Sequence, residues 1–185
     1  LNSDPQLAVV GCLIRSFPEV TLTGGRKRYD AWLNGLRSHD AMFRERFVES
    51  PIAHPSALIR TSALERVGGY RGFDGPEDYD LWLRLFAAGL RFAKVPRILH
   101  FWRDAPGRLS RVDPRYAAAG MTCARADALA AHLGDRSAAI VGSGAAGRRL
   151  ARELLARGAR VAFFLDVDPR KVGRAPHGVP VLEHF

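Results

Sequence analysis

The chain has little cysteine and almost no lysine. Its two cysteines, Cys12 and Cys123, are far apart in apolar or Ala-rich surroundings and form no CxxC pair. That argues against a zinc site and a disulfide framework, and makes a reduced, cytoplasmic setting the default. No stretch of about 18 uninterrupted apolar residues occurs, so no membrane-spanning helix is expected. Leu1-Asn2-Ser3-Asp4-Pro5 has neither the basic nor the apolar region of a signal peptide. It also lacks an initiator Met, which points to a piece of a longer chain. Internal repeats and low-complexity tracts are missing too.

What is present is ordinary globular composition. The 185 residues are 47% hydrophobic and 25% charged, enough for one domain or one and a fraction. Of the 28 basic residues all but three are arginine, and the net charge is +9. Such a surplus suits phosphates, nucleotides, nucleic acid or a membrane surface. The arginines are scattered, however, which favours plain composition; a nucleic-acid footprint would be clustered, and no nucleic-acid partner is expected.

Apolar patterning gives the coarse organisation. Leu7–Ile14 reads as a buried strand, Gly24-Gly25 as a turn, and 29–47 as one or two helices broken near Asn34-Gly35 and Ser38-His39-Asp40. Ala57–Arg60 is a short strand. Ser62-Ala-Leu-Glu65 fits a capping box for a helix that Gly68-Gly69 ends. Asp74 is a candidate N-cap for the next helix, with Pro76 in its first turn and Leu81, Trp82, Leu85 and Phe86 as its buried stripe. Arg91–Val95 and Ile98–Trp102 read as two strands, and 117–133 as an Ala-rich helix. At Gly134-Asp135-Arg136 the character changes to strand, glycine-rich turn, helix, strand, with Val179–Leu182 as a third strand. A boundary is placed near 135. The second unit, of about 50 residues, is too short for a full dinucleotide-binding domain.

Glu77, Asp78 and Asp80 open one helix. A carboxylate there can serve as a general base toward a hydroxyl, or simply complement the helix dipole. Asp80 and Arg84, four apart, can pair on one face.

The ordered series Ser50-Pro-Ile-Ala-His-Pro-Ser-Ala-Leu-Ile-Arg60, Leu64-Glu-Arg-Val-Gly-Gly-Tyr70 and Pro76-Glu-Asp-Tyr-Asp-Leu-Trp-Leu-Arg84 resembles the C-terminal half of the family 2 glycosyltransferases. The likeness runs on through Gly89, Val95-Pro96 and Trp102-Arg103 to Leu109-Ser110, over roughly residues 1 to 116. The resemblance implies a GT-A fold, a mixed sheet flanked by helices, and inverting transfer of a sugar from a nucleotide-diphosphate donor to an acceptor hydroxyl in polysaccharide or glycolipid assembly. Asp78 would be the general base and Glu77 its support. Asp80, Trp82 and Arg84 would be scaffold. His54 would line the substrate cleft; Trp102 and Arg103 match the family's aromatic-Arg pair at the substrate site, with Arg103 facing the diphosphate. Many members carry a His two residues beyond that Arg, where this chain has Ala105; Arg108, Ser110 and Arg111 are the substitutes at hand. The family's Mg²⁺ or Mn²⁺ ligands and nucleotide pocket belong to its N-terminal half, outside this chain. The fragment by itself is therefore expected to be inactive and only marginally stable. A site at the inner face of the membrane, peripheral to it, is compatible with such a role.

Gly142-x-Gly144-x-x-Gly147 follows a strand and opens a helix, the context in which this pattern carries information. Gly142 would make the tight turn, Gly144 would let the backbone approach a pyrophosphate, and Gly147 would let helix and strand pack closely. Asp166 ends the second strand, where an acid accepts a ribose hydroxyl. The segment resembles Rossmann-type modules, above all the N-terminal modules of bacterial sugar acyltransferases, and implies a nucleotide, nucleotide sugar or NAD at the turn; an empty scaffold is the alternative. Asp166-Val-Asp168 is read as a decoy rather than a metal-binding pair. The expected architecture is thus α/β: part of a GT-A domain over 1–116, a helical linker over 117–135, and an incomplete Rossmann-like βαβ unit over 136–185. A nucleotide-binding module without transfer activity is the alternative function.

Overall fold

The computed structural model describes residues 4–73 and 75–184. The chain is α/β and divides into two compact units, Leu1–Asp113 and Pro114–Phe185, each built on a three-stranded sheet.

In the first unit, β1 (Leu7–Phe17) is the central strand. Its side chains are buried almost throughout, as expected of a strand covered on both faces. On one side it pairs antiparallel with β2 (Leu58–Ile59), on the other parallel with β3 (Arg91–Arg103). Sequence reading splits β3 in two at Pro96. The strand instead continues through it, because the register slips between Cys12 and Leu13 and because β3 is an edge. A proline costs no ladder bond at a bulge or an outer edge.

Helix α1 (Gly24–Gly35) begins at the glycines that suggest a turn, since Thr23 accepts the Arg26 N–H at 3.1 Å and caps it. Ser38 caps α2 (His39–Glu45) in the same way through Ala41 N–H. Helix α3 (Thr61–Arg66) starts two residues too early for Ser62 to cap it, with Arg60 at the cap position, so the expected capping box does not form; Gly68 and Gly69, both at positive φ, end it. Helix α4 (Glu77–Ala87) has Pro76 at its cap position without a side-chain cap. Asp74, the candidate cap, lies outside the described residues.

Trp82, Leu81 and Leu85 of α4 are fully buried against Val9, Met42, Ile52 and Phe92. Phe86 stacks on Phe92 with centroids 3.9 Å apart. Each such side chain contributes about 1.5–3 kcal/mol by leaving water. After α4 the chain turns at Gly89 (φ 72°) and enters β3; α5 (Leu109–Val112) is a single turn beyond it.

In the second unit, α6 (Ala118–Leu133) packs Ala126 and Leu129 into the same core as Ile140, Leu154 and Phe164. It is therefore part of this unit. The division falls at 113/114, not near 135 as the composition shift suggests, because an Ala-rich helix shows too weak a stripe to announce its partner. The sheet is parallel throughout, in the order β4 (Ser137–Val141), β5 (Arg160–Asp166), β6 (Val181–Glu183). Helix α7 (Ala145–Ala156) connects β4 to β5. Among the described residues no helix is long and apolar enough to cross a membrane.

Candidate functional site

The carboxylates of the first unit sit on the first turn of α4, at Glu77 and Asp78. Asp78 is half-buried, and Tyr79 N–H donates to its Oδ1 at 2.8 Å. Burial raises its proton affinity. His54 nearby and the Tyr79 N–H oppose that rise, while Glu77 adds to it. The net shift is upward, so Asp78 is a stronger base than an exposed aspartate.

His54 is brought there by a 3₁₀ turn, His54–Ser56, that precedes β2. Its Nε2 lies 2.7 Å from the Tyr70 hydroxyl, and its ring meets the Trp82 ring edge-on at 5.9 Å. Burial, then Asp78 and Glu77, push the Tyr70 phenol up, so Tyr70 belongs to the same cluster. Tyr29 of α1 is a further member. Burial raises its phenol most, Glu49 and Asp78 raise it further, and Arg26 and Arg108 lower it. Tyr29 thus feels the charge both of the carboxylates and of a group of cations, and the Arg26 guanidinium lies 5.1 Å from its ring centroid.

Those cations surround Trp102, near the carboxyl ends of the parallel strands β1 and β3. The guanidinium of Arg26 lies 4.4 Å from the Trp102 ring centroid, and that of Arg108 lies 4.3 Å from it. Arg26 is also held by Ser16 Oγ (2.8 Å) and Asp30 (3.0 Å). Arg103 is exposed and pairs with Phe17 in the sheet. Arg108 and Arg111, which the sequence offers as stand-ins for a histidine of the family, both pair with buried Asp104, at 3.2 and 2.7 Å. Glu77, Asp78 and His54 therefore form one cluster and Trp102 and Arg103 another, with Tyr29 within electrostatic reach of both.

Asp80 takes no part in that cluster. It is buried, and it pairs with Arg71 and, at 2.8 Å, with Arg84. Arg84 donates onward to the carbonyls of Val67 (2.6 Å) and Gly69 (2.7 Å), tying α4 to the end of α3. The scaffold role expected of Asp80 and Arg84 has this physical form. Sequence reasoning leaves Tyr29, Tyr70 and Asp104 without a role. Only Tyr70 gives a signal, as part of the Gly-Gly-Tyr ending of α3.

The glycine-rich turn of the second unit is strongly constrained. Gly142 has φ 93°, a conformation that favours glycine. A Cβ on Gly147 would sit 1.9 Å from the Gly142 carbonyl oxygen, so helix and turn meet without room for any side chain. A Cβ on Gly144 would meet nothing within 4 Å. Asp166 is buried beneath the turn: its Oδ2 accepts from Ser143 N–H (2.8 Å) and Ser143 Oγ (2.6 Å), and its Oδ1 accepts from Asp168 N–H (3.0 Å). Lys171 approaches at 3.2 Å. These bonds, led by the Ser143 hydroxyl, hold the Asp166 carboxyl well below the usual carboxylate range. Asp166 therefore fixes the turn from below. Asp168 is likewise engaged, by Arg170 and Lys171. Beside the turn lies a cavity of about 370 Å³ lined by Ser143, Arg148, Lys171, Arg174, Pro176 and Val181.

No known family profile matches the chain, and no solved structure matches it significantly. Over 61 residues the chain is 41% identical to a protein of Haemophilus influenzae Rd named an uncharacterized glycosyltransferase. The aligned stretch is 33% of this chain and 22% of that protein, so the chain spans about a fifth of its relative's length. The relationship this establishes is to a glycosyltransferase, across a third of the chain.

Proposed function

We propose that the first unit is the acceptor-side half of a GT-A glycosyltransferase of family 2, acting with inversion on a nucleotide-diphosphate sugar. The observation that carries the reading is Asp78, a carboxylate made more basic by burial and grouped with His54 and Glu77 at the start of α4. In this reading Asp78 takes the proton of the acceptor hydroxyl as that oxygen attacks the anomeric carbon. The bond from that carbon to the diphosphate breaks on the opposite face, and the diphosphate leaves with the electron pair. The carbon passes through an oxocarbenium-like state, as in glycoside hydrolysis. Glu77 keeps the proton affinity of Asp78 high. His54, fixed by Tyr70, positions the acceptor. Arg103 and the cations flanking Trp102 suit phosphate oxygens.

Among the described residues no group of three or more His, Cys, Asp or Glu converges as metal ligands do. The described residues therefore do not fit the Mg²⁺ or Mn²⁺ that the family resemblance implies. The acceptor class we propose is a growing polysaccharide or glycolipid.

The test is Asp78→Asn in the enzyme that carries this chain. It keeps the shape and removes the base, so transfer should fall by roughly 10²–10⁴-fold while donor binding stays. Undiminished transfer would refute the assignment.

A second reading concerns the second unit, as a Rossmann-like module taking a nucleotide or NAD at the glycine-rich turn. It is favoured by the open space over Gly144 and the adjoining cavity. Gly144→Val fills that space, and unchanged nucleotide binding in this variant would dismiss the reading.

A further inference from the structure

A second hollow, of about 290 Å³, opens on the flank of α7, lined by Ala145, Arg148, Arg149, Arg152 and His177. It adjoins the cavity beside the turn, and the two share Arg148. Together their walls carry Arg148, Arg149, Arg152, Lys171 and Arg174.

The electrostatics of this arrangement are unfavourable for an unliganded helix. Helix α7 has no acidic residue in its first turn, yet places three arginines in its first eight residues. Cations near a helix N-terminus oppose the macrodipole, and like charges three and four apart repel. Neutralisation within the chain is incomplete. Arg152 pairs with Glu153 at 3.0 Å, and Lys171 pairs with Asp166. Among the described residues Arg148 donates only to a neutral carbonyl, that of Ser143, at 2.7 Å. Arg149 and Arg174 have no side-chain partner among the described residues.

We propose that the two hollows form one polyanion site, with Arg148 as the partition, and that the second unit takes a ligand bearing at least two linked phosphoryl groups. One group lies on the Arg174–Lys171 side and another on the Arg149–Arg152 side. The flank subsite is independent of the transfer reading. It extends the nucleotide reading of the glycine-rich turn, but does not require a base or a ribose.

The test is calorimetric titration of the whole chain with inorganic phosphate, tripolyphosphate and a nucleoside diphosphate at low ionic strength. Tripolyphosphate should bind one-to-one and at least tenfold more tightly than phosphate. Arg149→Gln/Arg152→Gln should weaken tripolyphosphate roughly tenfold or more, since two charge-assisted bonds are lost. Arg160→Gln, which removes a charge at the far end of β5, should leave it unchanged. Circular dichroism of each variant confirms that it is folded. Equal affinity for phosphate and tripolyphosphate, or equal losses in the flank and Arg160 variants, would overturn the proposal, the latter marking unspecific charge attraction. Binding of tripolyphosphate without the nucleoside diphosphate would retain the polyanion site and reject the nucleotide reading; the two therefore fail separately.

Discussion

At the scale of single residues, buried charge has the clearest consequences. Lys94 on β3 is 8% exposed, and its Nζ donates to the Leu33 carbonyl in the last turn of α1 at 2.6 Å. Burial pushes its ammonium down to about 8, against an opposing pull from Cys12. A lysine in the unfolded chain keeps its proton until about 10.5. Between those values the unfolded chain binds more protons than the folded one, so stability should rise with pH across that window. The raised Tyr29 and Tyr70 phenols pull the other way once unfolded tyrosines begin to ionise near pH 10, so the comparison is made against Lys94→Met. From about pH 8 upward the urea midpoint of the parent chain should climb relative to that of the variant, and a parent midpoint that falls relative to it would contradict this account. None of it is legible in the sequence, where Lys94 is one polar residue in a strand. Asp78 differs: the family resemblance of the surrounding sequence offers it as a base, although its spacing alone does not. What the sequence withholds is the cause of its basicity, because burial and the approach of His54 and Tyr70 come from residues distant along the chain.

At the scale of elements, the glycine-rich turn was largely legible. A strand, three spaced glycines and a helix have few alternatives, and β4, α7 and β5 lie where the pattern puts them. The steric reason for Gly147 is visible only in three dimensions. Gly147→Ala should cost about 3 kcal/mol, by forcing α7 away from the turn. Gly144→Ala, with open space around it, should cost less than about 1 kcal/mol. Thermal unfolding of the two variants side by side checks the contrast, and equal losses would refute it.

The seat of α4 rests on Asp80 and Arg84. Asp80→Asn leaves a guanidinium poorly compensated in the interior and should cost about 3–5 kcal/mol in denaturant unfolding. A loss below about 1 kcal/mol would mean that the pair is not needed to hold the helix. The i,i+4 spacing announced this pair. The carbonyls it reaches on the far side of the Gly68-Gly69 turn were not foreseeable, since they depend on how α3 ends. The same limit explains the unbroken β3: Pro96 is a breaker in a central strand but not in an outer one, and position in a sheet is not written locally.

For the molecule as a whole, among the described residues β3 is an outer strand of the first unit, with Leu99 and Phe101 more than half exposed. Apolar side chains on an unpaired edge favour association between chains. Light scattering of the chain should grow with concentration, and Phe101→Lys should suppress that growth without lowering the melting temperature. Scattering unaffected by the substitution would place the sticky surface elsewhere.

The hydrophobic clusters respect the division at Asp113/Pro114: Trp82 and its neighbours lie wholly on one side, Phe164 and its neighbours on the other. A recombination event at that junction would therefore split neither interior. Joining either half to a new companion at that point would leave the clusters described for it undisturbed.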